Sequence, residues 1–137
     1  MKKADLLLRA SNDMWAVDLM WESRPFSDEF QYDLVAYHLQ QCLEKTMKFE
    51  MNENSIIYKR VHEVDVLFQQ MCDEGLTPAD WILTNSDTFN KYATHTRYGE
   101  DLVAVQKKLE LLIPLVRGYL QQQQQLQKQQ MPEEFKI

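Results

Sequence analysis

The chain has 137 residues, the usual size of a single domain and enough to bury a core of its own. Only three glycines and four prolines leave too few turn residues for an all-β fold, so the composition predicts an all-α protein. A net charge of −6 argues against broad nucleic-acid binding, and the lack of a long apolar run argues against a membrane partner, so we expect a cytoplasmic protein.

The first predicted helix covers residues 3–22 and ends before Pro25. Its apolar face should consist of Ala4, Leu7, Leu8, Met14, Trp15 and Leu19. A second helix should run from about Glu29 to Met51, with Ser27 or Asp28 capping its first turn. We therefore expect two long helices joined by a short break.

The second predicted helix has an apolar face and a polar face. The apolar face should consist of Ala36, Leu39, Leu43, Met47 and either Phe49 or Glu50. At about 100° per residue, one polar stripe collects His38, Gln41, Lys45 and Lys48, with Gln40 and Glu44 beside it. These groups suit a phosphate ligand. The alternative is a solvated surface in which Glu44 and Lys48 form an ordinary ion pair.

A third helix is indicated by apolar residues at helical spacing, and Gly75 should end it. The basic cluster 59–63 stands at its predicted start, where Arg60 and His62 could meet an anion that also senses the helix dipole. Alternatively the cluster points away, and His62 acts as a cap or as a buried hydrogen-bond partner. The cluster is thus a second candidate site.

A fourth helix should run from Pro78 to about Tyr92, with Thr77 as its cap and a weak point near Asn85. The segment 95–101 after it is a third candidate site. There the planar guanidinium group of Arg97 could bind phosphate, and Tyr98 offers a ring for stacking and a hydroxyl for hydrogen bonding. The alternative is structural, with Arg97 paired to Glu44 across the bundle and Tyr98 filling a groove.

The last predicted helix has the clearest core face, formed by Leu102, Val105, Leu109, Leu112, Ile113, Val116 and Leu120. Pro114 should kink this helix without ending it. We predict an antiparallel up-and-down bundle of four to five helices over residues 1–120, and a glutamine-rich tail, frayed or disordered, over 121–137. Cys42 and Cys72 should be buried reduced thiols, and no cofactor or metal site is predicted.

Three segments of this chain resemble the HEPN domains, named for higher eukaryote and prokaryote nucleotide binding. The resemblance lies in HLQQCLEKTMK, KRVHEVDVLF and NKYATHTRYGED, in matching order and separation, over about residues 4–120. It implies a bundle of four or five helices, commonly a dimer, often encoded beside or fused to a minimal nucleotidyltransferase. The helical domain of aminoglycoside nucleotidyltransferases is also similar.

One departure from the family pattern bears on the activity. Ribonuclease members carry an arginine followed after four to six residues by a histidine, and no arginine of this chain has that partner. We therefore predict a non-catalytic domain that binds a nucleotide or another phosphorylated small molecule, as a homodimer with a nucleotidyltransferase as candidate partner. The predicted ligand-binding residues are His38, Gln41, Glu44, Lys45, Lys48, Arg60, His62, Arg97 and Tyr98.

Two other functions stay open from the sequence. One is a structural or protein-interaction bundle without a small ligand, which the negative charge and the glutamine-rich tail favour. The other is an RNA-cleaving toxin, which would have to assemble its active site without the arginine–histidine motif.

Overall fold

The computed structural model describes residues 3–26, 28–94 and 101–132. Every regular element in these ranges is a helix, which confirms the predicted all-α class with a long C-terminal helix. The helices are α1 (Lys3–Glu22), α2 (Phe30–Glu53), α3 (Val64–Asp73), α4 (Asp80–Thr84), α5 (Ser86–Thr94) and α6 (Leu102–Gln130). No helix within the described ranges is both long and apolar enough to cross a membrane.

Two predicted helix boundaries are confirmed, one by a hydrogen bond and the other by a backbone conformation. At the start of α2, the Asp28 carboxylate accepts a hydrogen bond of 2.9 Å from the backbone N–H of Phe30. Ser27, the other candidate cap, lies outside the described residues. At the end of α3, Gly75 adopts a φ of 91°, the left-handed conformation that favours glycine after a helix.

The single helix predicted from Pro78 to Tyr92 was wrong, because the chain forms the two short helices α4 and α5 instead. The break falls at Asn85, whose side-chain amide donates a hydrogen bond of 2.7 Å to the carbonyl of Trp81. Thr77 does not cap α4, since Ala79 occupies the N-cap position with an extended backbone and no capping side chain. Asparagine competes with helical hydrogen bonds in this way, which explains the break.

Helix α2 lies at the centre of the bundle and packs against α1, α3, α5 and α6. Its predicted apolar face is buried, and Phe49 rather than Glu50 completes it. The core face predicted for α6 is also buried, except that Leu102 is 36% exposed at the first turn. Pro114 lies inside α6, which continues as one helix past it.

The apolar face predicted for α1 was partly wrong. Leu8, Trp15 and Leu19 are exposed at 60%, 67% and 55%, whereas the buried apolar residues of α1 are Leu6, Leu7, Ala10, Met14 and Val17. The leucine run at 6–8 is compatible with either face. The helix buries the face that carries Asp13, because that carboxylate contacts His38 and Lys45 of α2.

The predicted burial of both cysteines was correct for Cys42 and wrong for Cys72, which is exposed. Cys72 follows the buried Met71 in α3, and a rotation of about 100° moves its side chain off the core face. Burial raises the pKa of the Cys42 thiol to about 12, so this cysteine stays protonated and unreactive.

The glutamine-rich segment continues α6 as a helix as far as Gln130. Gln123 is buried at 3% exposure, and a groove beside α1 is lined by Leu7, Leu8 and residues of this segment. Residues 133–137 of the predicted tail lie outside the described residues.

Candidate functional site

Two residues of the polar stripe predicted on α2, His38 and Lys45, contact α1. Asp13 of α1, only 9% exposed, lies between two residues of the stripe. Its carboxylate accepts a hydrogen bond of 2.6 Å from the Lys45 ammonium, and its other oxygen lies 2.9 Å from Nδ1 of His38. These contacts fix both side chains against α1.

Glu44 is the centre of a second polar cluster, which joins α2 to the segment before α3. Its carboxylate accepts a hydrogen bond of 2.8 Å from Lys48 and one of 3.1 Å from the amide of Gln40. Nδ1 of His62 lies 3.0 Å from the same carboxylate. Glu44 and Lys48 form the predicted i, i+4 pair, but both are buried, so the pair is not a solvated surface contact.

The electrostatic state of Glu44 follows from these contacts. Burial alone would raise the pKa of its carboxyl group, since it penalises the charged form. Hydrogen bonds from Lys48, Gln40 and His62 outweigh that effect and lower the pKa below its usual range. Glu44 is therefore a carboxylate at neutral pH and fixes the donors around it.

His62 is held by the segment that precedes α3. Its carbonyl accepts a hydrogen bond of 3.1 Å from the Gln40 amide, and its backbone N–H donates to the Glu63 carboxylate at 3.1 Å. The imidazole itself is 75% exposed. The backbone and one ring nitrogen are thus fixed, while most of the ring faces outward.

The prediction that the basic cluster 59–63 forms the start of α3 was wrong, since the helix begins at Val64. Glu63 has an extended backbone, and the first helical N–H, that of Val64, donates at 3.0 Å to the side-chain carbonyl of Asn90. Asn90 also donates to Asp65 at 2.9 Å. A residue of α5 therefore caps α3.

A cleft of about 410 Å³ opens beside these residues. Its lining is formed by Tyr37, Gln41, His62, Glu63, Asn90, Ala93 and Thr94. The Gln41 amide donates a hydrogen bond of 2.6 Å to the side-chain carbonyl of Gln40, so its own carbonyl oxygen stays available to a ligand. The volume lies within the range of small-molecule sites.

The chain was compared with known protein families. The family model described as HEPN domain matches residues 4–122. The chain belongs to the HEPN domain family. No curated protein and no solved structure gives a significant match.

The predicted ligand-binding residues of this HEPN domain fall into three groups. Gln41 and His62 line the cleft directly. Behind them, in the wall, lie His38, Glu44, Lys45 and Lys48. Arg60 is exposed and does not belong to the cleft lining, while Arg97 and Tyr98 lie outside the described residues.

Two residues that organise the HEPN domain site were missed from the sequence. Asp13 could have been noticed as an acidic residue between Ala10, Met14 and Val17 on the buried face of α1. Its partners lie 25 and 32 positions later in the chain, so local spacing could not pair them. No sequence pattern indicated a capping role for Asn90, because that role depends on how α5 packs against α3.

Proposed function

We propose that this HEPN domain binds a nucleotide or another phosphorylated small molecule in the cleft beside α2 and does not cleave RNA. The observation that carries the proposal is the cleft itself, whose lining brings Gln41, His62 and Asn90 together within about 410 Å³. The carbonyl oxygen of Gln41 can accept a hydrogen bond from a base or ribose, whereas amide and imidazole N–H groups can donate to phosphate oxygens.

The wall behind the cleft holds His62 in place for contact with a ligand. Lys45 is paired with Asp13 and Lys48 with Glu44, so the two lysines and two carboxylates balance in charge. Glu44 holds one ring nitrogen of His62, so the imidazole is a fixed polar group at the cleft surface. In this proposal the lysines position the carboxylates rather than contact the ligand.

Arg97 and Tyr98 complete the proposed site on sequence grounds. They follow Thr94, which lines the cleft, by three and four positions in the chain. An arginine fork would neutralise phosphate, and a tyrosine ring would stack on a base. The absence of a histidine four to six residues after any arginine supports binding without RNA cleavage.

The proposal includes a homodimer, a minimal nucleotidyltransferase as candidate protein partner, and a cytoplasmic location. The homodimer is supported by Leu8, Trp15 and Leu19, three exposed apolar residues of α1. Separations of seven and four residues place them within about 40° of one another around the helix. Such a stripe is typical of an interaction surface. Both cysteines are unpaired, as expected in a reducing compartment.

A structural role for the polar cluster is the second candidate function. It is favoured by the burial of Glu44 at 4% and of Lys48 at 8% exposure, since such pairs often serve the fold alone. Among the described residues, every buried polar side-chain atom has a hydrogen-bond partner. A protein-interaction bundle without a small ligand would show the same cluster.

Calorimetric titration with ATP, GTP and a short RNA tests the proposed function. We expect a nucleotide to bind wild type, and the Gln41→Ala/His62→Ala double variant to bind at least about tenfold more weakly, since it loses two polar contacts. The control is Gln69→Ala, which removes an exposed glutamine bonded to Asp73 on α3. Absence of binding by wild type, or undiminished binding by the double variant, would overturn the proposal. Cleavage of the RNA would instead support the toxin alternative.

A further inference from the structure

A second concave surface lies on the side of α2 opposite the cleft. Glu50 is nine positions after Gln41, and at about 100° per residue this places the two side chains about 180° apart. The groove at Glu50 has a volume of about 530 Å³. It is bounded by the end of α2, by residues 77–82 and by the middle of α6.

Glu50 is the charged residue of this groove, and one of its oxygens is available. Oε1 accepts a hydrogen bond of 2.5 Å from the hydroxyl of Tyr119. Oε2 has no hydrogen-bond or ion-pair partner within residues 3–26, 28–94 and 101–132. Every buried side-chain oxygen in these ranges has a hydrogen-bond partner. Because Oε2 has none, it is not buried and is accessible from the groove or from solvent.

The hydrogen bond from Tyr119 does not neutralise the charge of Glu50. Burial, reinforced by the Glu50 carboxylate, raises the pKa of the Tyr119 hydroxyl well above its usual value. The Tyr119 hydroxyl therefore stays protonated while it donates the hydrogen bond, and the pair carries one negative charge.

Most of the remaining groove lining is apolar or aromatic, and its uncharged polar side chains are Thr77, Tyr119 and Gln122. Trp81 and Pro78 come from one side, and Leu115 and Pro114 come from α6. Within the described residues no lysine, arginine or histidine lines the groove, so nothing there neutralises Glu50. Apolar walls around a single unneutralised carboxylate complement a ligand that has a cationic head and an apolar body.

We propose that this groove binds a small organic cation, with its ammonium group on Oε2 of Glu50 and its apolar body against Trp81 and Leu115. The ligand class is opposite in charge to the one proposed for the cleft, so this site goes beyond the proposed function. A volume of about 530 Å³ fits a small molecule.

The proposal is tested by NMR titration of the full chain with tryptamine, using indole-3-propionate as an anionic probe of similar size. Tryptamine is expected to shift the backbone signals of Trp81, Leu115 and Tyr119, and indole-3-propionate is not. The Glu50→Gln variant keeps an acceptor for Tyr119 but loses the charge, and it should bind tryptamine at least tenfold more weakly.

A second variant separates loss of the site from loss of the fold. Gly118 lines the groove, and a Cβ added there meets no atom within 4 Å. Gly118→Leu should therefore fill the groove, abolish tryptamine binding and leave the melting temperature no lower than that of wild type. Equal binding of the two probes, or undiminished tryptamine binding by Glu50→Gln or by a folded Gly118→Leu, would overturn the proposal.

Discussion

At the scale of single residues, Glu44 and Lys48 form the most buried ion pair among the described residues, with side chains 5% and 10% exposed. Removing one partner of such a pair leaves a buried charge that water cannot reach, and this costs more than the pair itself contributes. Gln40 and His62 also contact Glu44, so they offset part of that loss.

We predict that Lys48→Met lowers the free energy of unfolding by about 3 kcal/mol, because it leaves the Glu44 carboxylate without its ammonium partner. Chemical denaturation measures this loss. The free energy of unfolding should fall clearly less in the Glu44→Gln/Lys48→Met double variant, since neither charge remains. Lys59→Met, which alters an exposed lysine, is the control and should stay within about 0.5 kcal/mol of wild type. A loss no larger for Lys48→Met than for Lys59→Met would show that the pair is not important for stability.

The lowered pKa of Glu44 makes stability depend on pH. Its pKa in the folded protein lies below the ordinary value of 4.5, so its contribution is fully present above 4.5. That contribution is lost as the pH falls from 4.5 through the folded pKa. We predict that the stability difference between wild type and Glu44→Gln shrinks below pH 4.5, as measured by urea unfolding at several pH values. A difference that is constant or grows on acidification would contradict this assignment.

The sequence predicted the polar residues of α2 better than it predicted their environment. The spacing of His38, Gln41, Lys45 and Lys48 correctly placed them on one side of a helix, because helical periodicity is a local property. Whether that side faces solvent or a partner depends on Asp13 and on the segment before α3, which approach only in the folded bundle. The geometry of the wall could therefore not be derived from spacing.

At the scale of elements, α6 shows how propensity and packing combine. Its glutamine-rich end has helix-compatible composition but almost no apolar face, so a frayed or disordered tail was the sequence-based expectation for 121–137. In the fold the helix reaches Gln130, and Gln123 is buried. Packing against the N-terminal half of α1 compensates for the small apolar face of this segment.

We predict that truncation after Leu120 lowers the free energy of unfolding by about 1–3 kcal/mol, because Leu7 of α1 and Leu120 lose apolar cover. Thermal unfolding followed by circular dichroism measures the effect. Truncation after Met131, which removes residues 132–137 and leaves α6 whole, is the matched control. Equal melting temperatures for the two truncated chains would mean that the segment 121–130 does not stabilise the bundle.

The short elements were less predictable than the long ones. Composition and long apolar repeats established α1, α2 and α6 in the sequence. The division between α4 and α5 and the start of α3 depend on individual asparagine side chains. Asn85 bonds the backbone of its own segment, and Asn90 caps a helix distant in sequence. The sequence pattern predicted a weak point near Asn85 but not a complete break there, and it did not indicate the contact of Asn90.

At the scale of the whole molecule, the bundle presents three surfaces with different chemistry. They are the polar cleft beside Gln41, the acidic groove beside Glu50 and the apolar stripe of α1. The first two lie on opposite sides of α2, so a ligand in one leaves the other open. The third belongs to α1 and suits contact with another chain.

We predict that the stripe of α1 mediates the proposed homodimer. Light scattering at about 100 µM should give wild type a mass of twice the 16.4 kDa chain. Trp15→Glu/Leu19→Glu should give a folded monomer, because it places charges in an apolar contact. Ile57→Glu alters a residue that is 93% exposed in the loop after α2, and it should leave the dimer intact. A monomeric wild type, or an unchanged mass for the double variant, would contradict this interface.

Binding of a phosphorylated ligand in the cleft beside α2 can be measured by NMR titration of the wild-type chain with ATP. We expect the largest chemical-shift changes at the side-chain amides of Gln41 and Asn90 and at the imidazole of His62, which all line the cleft. Signals around Glu50 should stay unchanged. An absence of shifts at millimolar ATP, or shifts confined to residues outside the cleft, would contradict the claim.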